Sequence, residues 1–527
     1  MGEPAGTVRG RRNVADLVRD AADRDRTARA LVFRDTTLTW GELDDRVDAV
    51  AAALCDLGLA PGERVALALG NGLDFPVLYF GVLRAGLVAL PVNPTYTGRE
   101  LAHLLSDSGA AVLVGVPTAV TQAASLRADL PALRHVFVAG SADPASGARP
   151  VSDLLTAARG PVDAVTGGEE LAVLMYTSGT SGSPRGAMLS HRAMLANLEQ
   201  CAQIVPPVLA ADDVVLMVLP LYHIYGLNPG LGMVAHTGCT GVLVERFDPA
   251  DTLALMQRHR VTNVAGAPPM YMAWSLLPDF AEAFTGVRLA VSGAAPLDVA
   301  AQQRLLDATG HHVFEGYGLT ETAPVLTSTL MSEVAKPGSI GRPIPGVEIR
   351  LVDAAGDELL GADDDEEIVP GDDEPGEMVV RGENLFSGYW PDGAEGPDAD
   401  GWWRTGDVAY RDDDGDLFLV DRLRELVLVS GFNVYPREIE DVLFAHPEIA
   451  EVAVIGVPHP YTGETVKAYV VAAPGVHLTA EDVIRYCEGS LARFKCPTAV
   501  EFVAALPHSA TGKVAKSRLR AAAASGE

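Results

Sequence analysis

Leu43, Val47, Val50 and Leu54 recur three or four positions apart, a spacing that predicts one apolar face of a helix. Thr39 and Glu42 stand just ahead of them as a capping box and mark its start. Residues 14–29 read as a helical lead-in, and 31–33 with 37–39 as a small hairpin. After the Pro61-Gly62 turn, apolar strands at 64–69, 88–92 and 111–114 alternate with helices at 75–85 and 100–108. The same alternation returns with strands at 214–219 and 261–265 around a helix at 250–260. Such a pattern predicts an α/β protein with doubly wound sheets. A further apolar run, 171–175, reads as a buried strand, and 188–198 as the opening of a helix with Ser190 as its N-cap. Pro436 opens an amphipathic helix with Ile439, Val442 and Leu443, followed by strands at 452–457 and 466–472.

At 527 residues the chain exceeds one compact core, so two or more domains are expected. A formal net charge of −30 argues against nucleic acid or an anionic membrane as a bulk partner. Any anionic substrate must then meet locally gathered cations. Five cysteines are scattered without a C-x-x-C pair, which reads as reduced thiols in the cytoplasm, mostly in the core. The N-terminus is polar and arginine-rich, unlike a signal peptide, and no run suits a membrane span.

Between the strand at 171–175 and the run at 188–198 lies Tyr176-Thr-Ser-Gly-Thr-Ser-Gly-Ser-Pro-Arg-Gly186. Glycines let backbone wrap an anion, hydroxyls and N–H groups donate to it, and Arg185 balances charge. The bland reading is a mobile linker, but linkers seldom follow a buried strand or end in Pro-Arg-Gly. Neither a Walker A loop nor a dinucleotide fingerprint is present here.

The stretch resembles the signature loop of the adenylate-forming superfamily, which includes acyl-CoA synthetases, luciferases and nonribosomal adenylation domains. The family loop reads Thr-Ser-Gly-Thr-Thr-Gly-x-Pro-Lys-Gly; here Ser181 replaces a Thr and Arg185 the Lys. The resemblance continues through four more ordered motifs and spans nearly the whole chain. It implies ATP phosphates on Thr177, Ser178, Gly179, Thr180, Ser181, Gly182 and Arg185. In Phe314-Glu-Gly-Tyr-Gly-Leu-Thr-Glu-Thr322 it implies a nucleotide framed by Glu315, Gly316 and Gly318. There Tyr317 would stack on the base, Thr320 would bind phosphate, and Glu321 with Thr177 would hold Mg2+. Taken alone, Glu321 would read as a solvated loop carboxylate.

Gly293, Ala294 and Ala295 would lie flat against adenine, and Asp407 with Arg422 would hold the ribose beside Val420. His223 in Leu219-Pro-Leu-Tyr-His-Ile-Tyr-Gly226 reads by position as a buried structural histidine. The resemblance instead makes it a guard of the substrate carboxylate, with Gly226, Met270, Gly316 and Leu326 shaping the acyl tunnel. Small residues at 226 and 316 suggest room for a bulky group. Lys513, near the end of the chain, would be the catalytic lysine, bridging carboxylate and α-phosphate.

The implied organisation is a large adenylation domain at 1–421, of doubly wound α/β subdomains plus a β subdomain, a hinge at 422–424 with Arg424 as pivot, and a small mobile α+β lid at 425–527. Gly431 would let pantetheine pass. The activity implied is ATP-dependent joining of an apolar, medium- to long-chain or bulky carboxylic acid to CoA through acyl-AMP. The alternatives are an acyl-AMP ligase that loads a carrier protein, or a non-catalytic nucleotide-binding relative. The acidic stretch 363–374 reads as a solvated loop, yet acyl-AMP ligases carry an insertion in this region. Asp412-Asp-Asp-Gly415 reads as a hairpin turn rather than a calcium loop. A homodimer is left open.

Overall fold

The computed structural model describes residues 12–141, 146–155, 160–177, 184–353, 355–359, 375–422, 425–429, 432–459, 463–508 and 513–525. They form two compact units. One holds the residues before 180 with Pro184–Val347 and Arg381–Trp402; the other holds 348–380 and the residues from 403 onward.

In the first unit the hydrophobic pattern translates directly. Thr39 accepts from the Glu42 N–H, and Glu42 accepts from the Thr39 N–H at 2.9 Å, which opens the helix Trp40–Asp56. Leu43, Val47, Val50 and Leu54 are fully buried. The expected hairpin forms from Arg29–Phe33 and Thr36–Thr39. Among the described residues, one sheet runs Arg149–Pro150, His135–Val138, Val112–Gly115, Arg64–Ala68, Val88–Pro91, Leu171–Thr177, Arg185–Ser190. All its pairings are parallel except the last. A second sheet has Thr240–Leu243, Val214–Met217, Asn263–Gly266, Leu289–Ser292 and Val313–Gly318 as parallel neighbours at its centre. Helices such as Asp74–Arg84, Gly98–Ser108 and Pro249–His259 connect the strands, as the alternation predicts.

One element differs from expectation. The run 188–198 does not begin as helix: Arg185–Ser190 is a strand, antiparallel to Leu171–Thr177. The helix His191–Ala202 starts after Ser190, whose hydroxyl accepts from the Ala193 N–H at 3.1 Å, so the expected cap holds. Lateral pairing accounts for the change. The strand is bonded on its other side as well, with Met188 N–H on Gly388 O at 3.1 Å and Trp390 N–H on Gly186 O at 2.8 Å. The hydroxyl-rich stretch therefore joins two antiparallel strands, not a strand and a helix.

The second unit contains the sheet Val347–Val352, Gly376–Gly382, Trp402–Arg411, Leu417–Arg422. Its last two strands form the expected hairpin, with the turn closed by Asp412, whose carbonyl accepts from Gly415 N–H at 2.8 Å. A further sheet is built on the long antiparallel pair Ile449–His459 and Gly463–Ala472. The helix Pro436–Phe444 buries Ile439 and Leu443, and Val442 is half-buried. Cys201, Cys239, Cys487 and Cys496 are buried free thiols and Cys55 is exposed. Burial pushes the thiols of Cys201, Cys239 and Cys487 up to about 12. The acidic stretch 363–374 lies outside the described residues.

Candidate active site

Four of the singled-out segments leave the carboxyl ends of parallel strands in the first unit. Thr177 ends Leu171–Thr177, residues 219–226 follow Val214–Met217, Gly293 follows Leu289–Ser292, and Gly316 to Glu321 close Val313–Gly318. Ligands of open parallel sheets collect at such ends.

Glu321 is 8% exposed, so its carboxylate requires polar partners. The Tyr389 hydroxyl donates to its Oε1 at 2.6 Å. Its backbone is pinned too: Glu321 O accepts from Phe386 N–H at 2.9 Å, and the next carbonyl, Thr322 O, accepts from Asn384 at 2.7 Å. Over the Tyr389 ring the Arg185 guanidinium lies 3.5 Å from the centroid. Arg185 also forms a two-point ion pair with Glu395, at 3.0 and 2.9 Å. Thr177 is the register partner of Arg185, and its hydroxyl lies 3.5 Å from the Arg185 carbonyl. The base of the first motif and the carboxylate of the second are thus joined through one tyrosine. Burial, then the Glu321 charge and hydrogen bond, raise the Tyr389 pKa, so the phenol stays protonated as the donor.

Backbone strain gathers at the same place. Of five non-glycine residues with left-handed φ among the described residues, Ala294, Ala323 and Glu395 belong to or adjoin these segments. Such conformations cost about 1 kcal/mol or more each and concentrate at functional sites.

The segment 219–226 is held by Asn71, which donates to Leu219 O and accepts from Leu221 N–H, both at 2.9 Å. His223 is half-buried, and its Nδ1 accepts from Tyr225 N–H at 3.3 Å. The Tyr225 ring packs on Gly293, where a Cβ would lie 2.9 Å from it. The acyl motif and the proposed adenine strip are therefore adjacent. Gly226 is required by packing: a Cβ there would stand 2.3 Å from Pro220 O. At Gly316 the nearest atom would be at an ordinary 3.4 Å, whereas Gly318 must stay bare because Pro324 O would be 1.8 Å away. A π-helix, Gly226–Gly232, follows, and Asn228 within it donates to Ala323 O at 2.7 Å. Single π-turns often mark functional sites.

The Glu315 carboxylate accepts from Leu297 N–H at 3.0 Å and from Gln302 at 2.7 Å, so it anchors the helix Val299–Thr309. Tyr317 and Thr320 are half-buried, Leu326 is fully buried, and Met270 packs against the core. In the second unit Asp407 is 4% exposed, pairs in register with Arg422, and donates its N–H to Thr405 Oγ1 at 3.1 Å. Val420 is half-buried beside it on the hairpin, and Lys513 is exposed. Ser178, Gly179, Thr180, Ser181, Gly182, Arg424 and Gly431 lie outside the described residues.

Tyr389, Glu395, Asn71 and Asn228 are the residues that sequence reasoning missed. Gly388-Tyr-Trp-Pro391, two aromatics between a glycine and a proline, is a signal that could have found the first.

Among the described residues no cluster of three His, Cys, Asp or Glu side chains could cage a metal. The buried carboxylate of Glu321 does suit Mg2+, which takes one or two protein oxygens and completes its shell with phosphates and water.

Strand-end loops, a buried carboxylate and a stacked guanidinium define a nucleotide-binding α/β enzyme. The chain belongs to the AMP-binding enzyme family, whose model matches residues 18–390; that of the AMP-binding enzyme C-terminal domain matches 438–513. It is 36% identical to the long-chain-fatty-acid–CoA ligase of Escherichia coli O157:H7, over 96% of this chain and 94% of that protein. It is also 36% identical to the feruloyl-CoA synthase of an Amycolatopsis species, over 94% of this chain and 95% of that one. The ATP-bound structure of MatB from Rhodopseudomonas palustris superposes with a TM-score of 0.86 at 32% identity, covering 97% of this chain and 99% of MatB. Among the described residues no helix is long and apolar enough to cross a membrane.

Proposed function

We propose that this protein is an ATP-dependent ligase that joins an apolar carboxylic acid to CoA. In the first step a carboxylate oxygen attacks the α-phosphorus of ATP, the bond to the β-phosphate oxygen breaks, and pyrophosphate leaves. In the second, the CoA thiolate attacks the acyl carbon, and the carbon–oxygen bond to AMP breaks. The carrying observation is that relatives 36% identical over nearly this whole chain are named CoA ligases, for a long-chain and for an aryl acid. The fatty chain is apolar, and the feruloyl group is mostly so apart from its hydroxyl and methoxy substituents, hence the substrate class.

Thr177, Arg185 and Thr320 receive the phosphates, Tyr317 stacks on adenine against Gly293 to Ala295, and Gly316 and Gly318 keep that face bare. Glu321 and Thr177 would hold a magnesium ion, which supplies neutralisation of phosphate charge. Asp407 and Arg422 take the ribose, His223 faces the substrate carboxylate, and Lys513 offsets repulsion between carboxylate and α-phosphate. The domain boundary at 421, a hinge at 422–424 pivoting on Arg424, a lid at 425–527 and a pantetheine path over Gly431 belong to the same reading. So does a cytoplasmic location, where ATP and CoA are supplied.

The test is pyrophosphate release across a panel of fatty and aryl acids, with CoA and with a phosphopantetheinylated carrier protein as acceptor. Thioester on CoA supports the proposal. Transfer to the carrier alone, or no release with any acid, would refute it.

A further inference from the structure

Tyr389 meets two charged groups, one at its hydroxyl and one over its ring. Its hydroxyl reaches Glu321 Oε1 at 2.6 Å, and its ring carries the Arg185 guanidinium 3.5 Å from the centroid. We propose that Tyr389 is a positioning residue for nucleotide binding, fixing the Glu321 carboxylate through its hydroxyl and the Arg185 side chain through its ring. The proposal rests on the ligase reading only for the identity of the nucleotide.

The tyrosine is itself held firmly. Tyr389 pairs with Ala187 on the neighbouring strand, and its N–H donates to Ala394 O at 2.9 Å. Its carbonyl accepts from Gly393 N–H at 2.8 Å. That tight turn requires Gly388, where a Cβ would stand 2.1 Å from Gly393 O. Phe386 packs edge-on against the ring, with centroids 5.0 Å apart. The hydroxyl bond engages one carboxylate oxygen, Oε1, and would leave the other to hold a metal ion. The same turn brings Glu395 round to grip Arg185 at two points. A planar guanidinium can stack and fork at once, and a lysine ammonium cannot, which gives Arg185 a reason to stand where the family motif has Lys.

A purely structural tyrosine would affect stability without discriminating between metal-bound and metal-free nucleotide. The experiment is equilibrium titration of the full chain with ATP, in Mg2+ and in EDTA, for wild type, Tyr389→Phe and Tyr389→Leu. For Y389F the expected result is a loss on the order of tenfold in affinity for MgATP, with metal-free ATP binding near wild type and a somewhat lower melting temperature, because the buried Glu321 carboxylate loses a donor. For Y389L, which also removes the platform, metal-free ATP should weaken as well; R185K, which keeps the charge without the plane, should match that effect if Y389L does not fold. Wild-type MgATP affinity in Y389F, equal losses with and without Mg2+, or a wild type indifferent to Mg2+ would each overturn the proposal. No acid or CoA enters the assay, so a failure of the ligase reading remains separate from a failure here.

Discussion

Arg185 and Glu395 meet edge to edge: Nη1 lies 3.0 Å from Oε2 and Nη2 2.9 Å from Oε1. This fork-to-fork geometry is the strong form of the ion pair. Glu395 is nonetheless 60% exposed, so the pair adds little to stability. If Arg185 receives phosphate as proposed, the consequence is competition, because the incoming phosphate must share the guanidinium with a carboxylate. Glu395→Gln should leave the melting temperature within about 2 °C of wild type and tighten ATP binding a few-fold at low salt, with the difference shrinking as salt rises. Calorimetric titration at two ionic strengths measures this. Weaker binding in the variant would mean that Glu395 orients Arg185 rather than competing for it.

Gly226 and Gly316 should respond differently to a methyl group. A Cβ at 226 would sit 2.3 Å from a backbone oxygen and at 316 no nearer than 3.4 Å. Gly226→Ala should destabilise by about 1–3 kcal/mol and lower the melting temperature, while Gly316→Ala should melt like wild type and show any change in acyl selectivity. Equal melting of the two variants would contradict the packing account.

His191 is buried, and its Nδ1 accepts from the Val14 N–H at 3.1 Å. Burial lowers its pKa to about 4, below the 6.5 of an unfolded chain. Between those values the unfolded state binds the extra proton, so stability is present above pH 6.5 and falls as pH drops toward 4, by up to about 3 kcal/mol. Protonation would also set a ring N–H against the Val14 N–H. Melting temperature recorded from pH 7 to pH 4 should decline, and less so in His191→Gln. An unchanged slope in the variant would remove His191 as a cause.

Lys513 is exposed in the second unit, with a charge whose proposed task is confined to the first half-reaction. Lys513→Ala should lower acid-dependent ATP–pyrophosphate exchange by a hundredfold or more, on the order of one lost transition-state electrostatic contact. Thioester formation from supplied acyl-AMP should stay within a few-fold of wild type. Equal loss in both half-reactions would contradict that division.

The capping box at Thr39, the apolar face through Leu54 and the alternating strands were legible because each is local. A single stretch carries both cap and period. Arg185–Ser190 was misread because its partner on one side, residues 388–390, lies about two hundred positions away in sequence. Tyr389 escaped notice for the same reason: a phenol becomes significant only beside a buried carboxylate, and that neighbour is set by tertiary pairing. Gly226 looked like open space, yet close backbone approach also demands a glycine, and composition does not distinguish the two. The π-turn at Gly226–Gly232 was equally opaque, since Pro229 in the sequence reads as a helix breaker.

The central claim is that a carboxylate oxygen becomes bonded to the α-phosphorus of ATP. A substrate acid labelled with oxygen-18 in both carboxylate positions, turned over with ATP and CoA, reads this directly by mass spectrometry of the products. One labelled oxygen should appear in AMP, one should remain in the thioester carbonyl, and none should enter pyrophosphate. Label in pyrophosphate or inorganic phosphate, or AMP carrying none, would contradict the account.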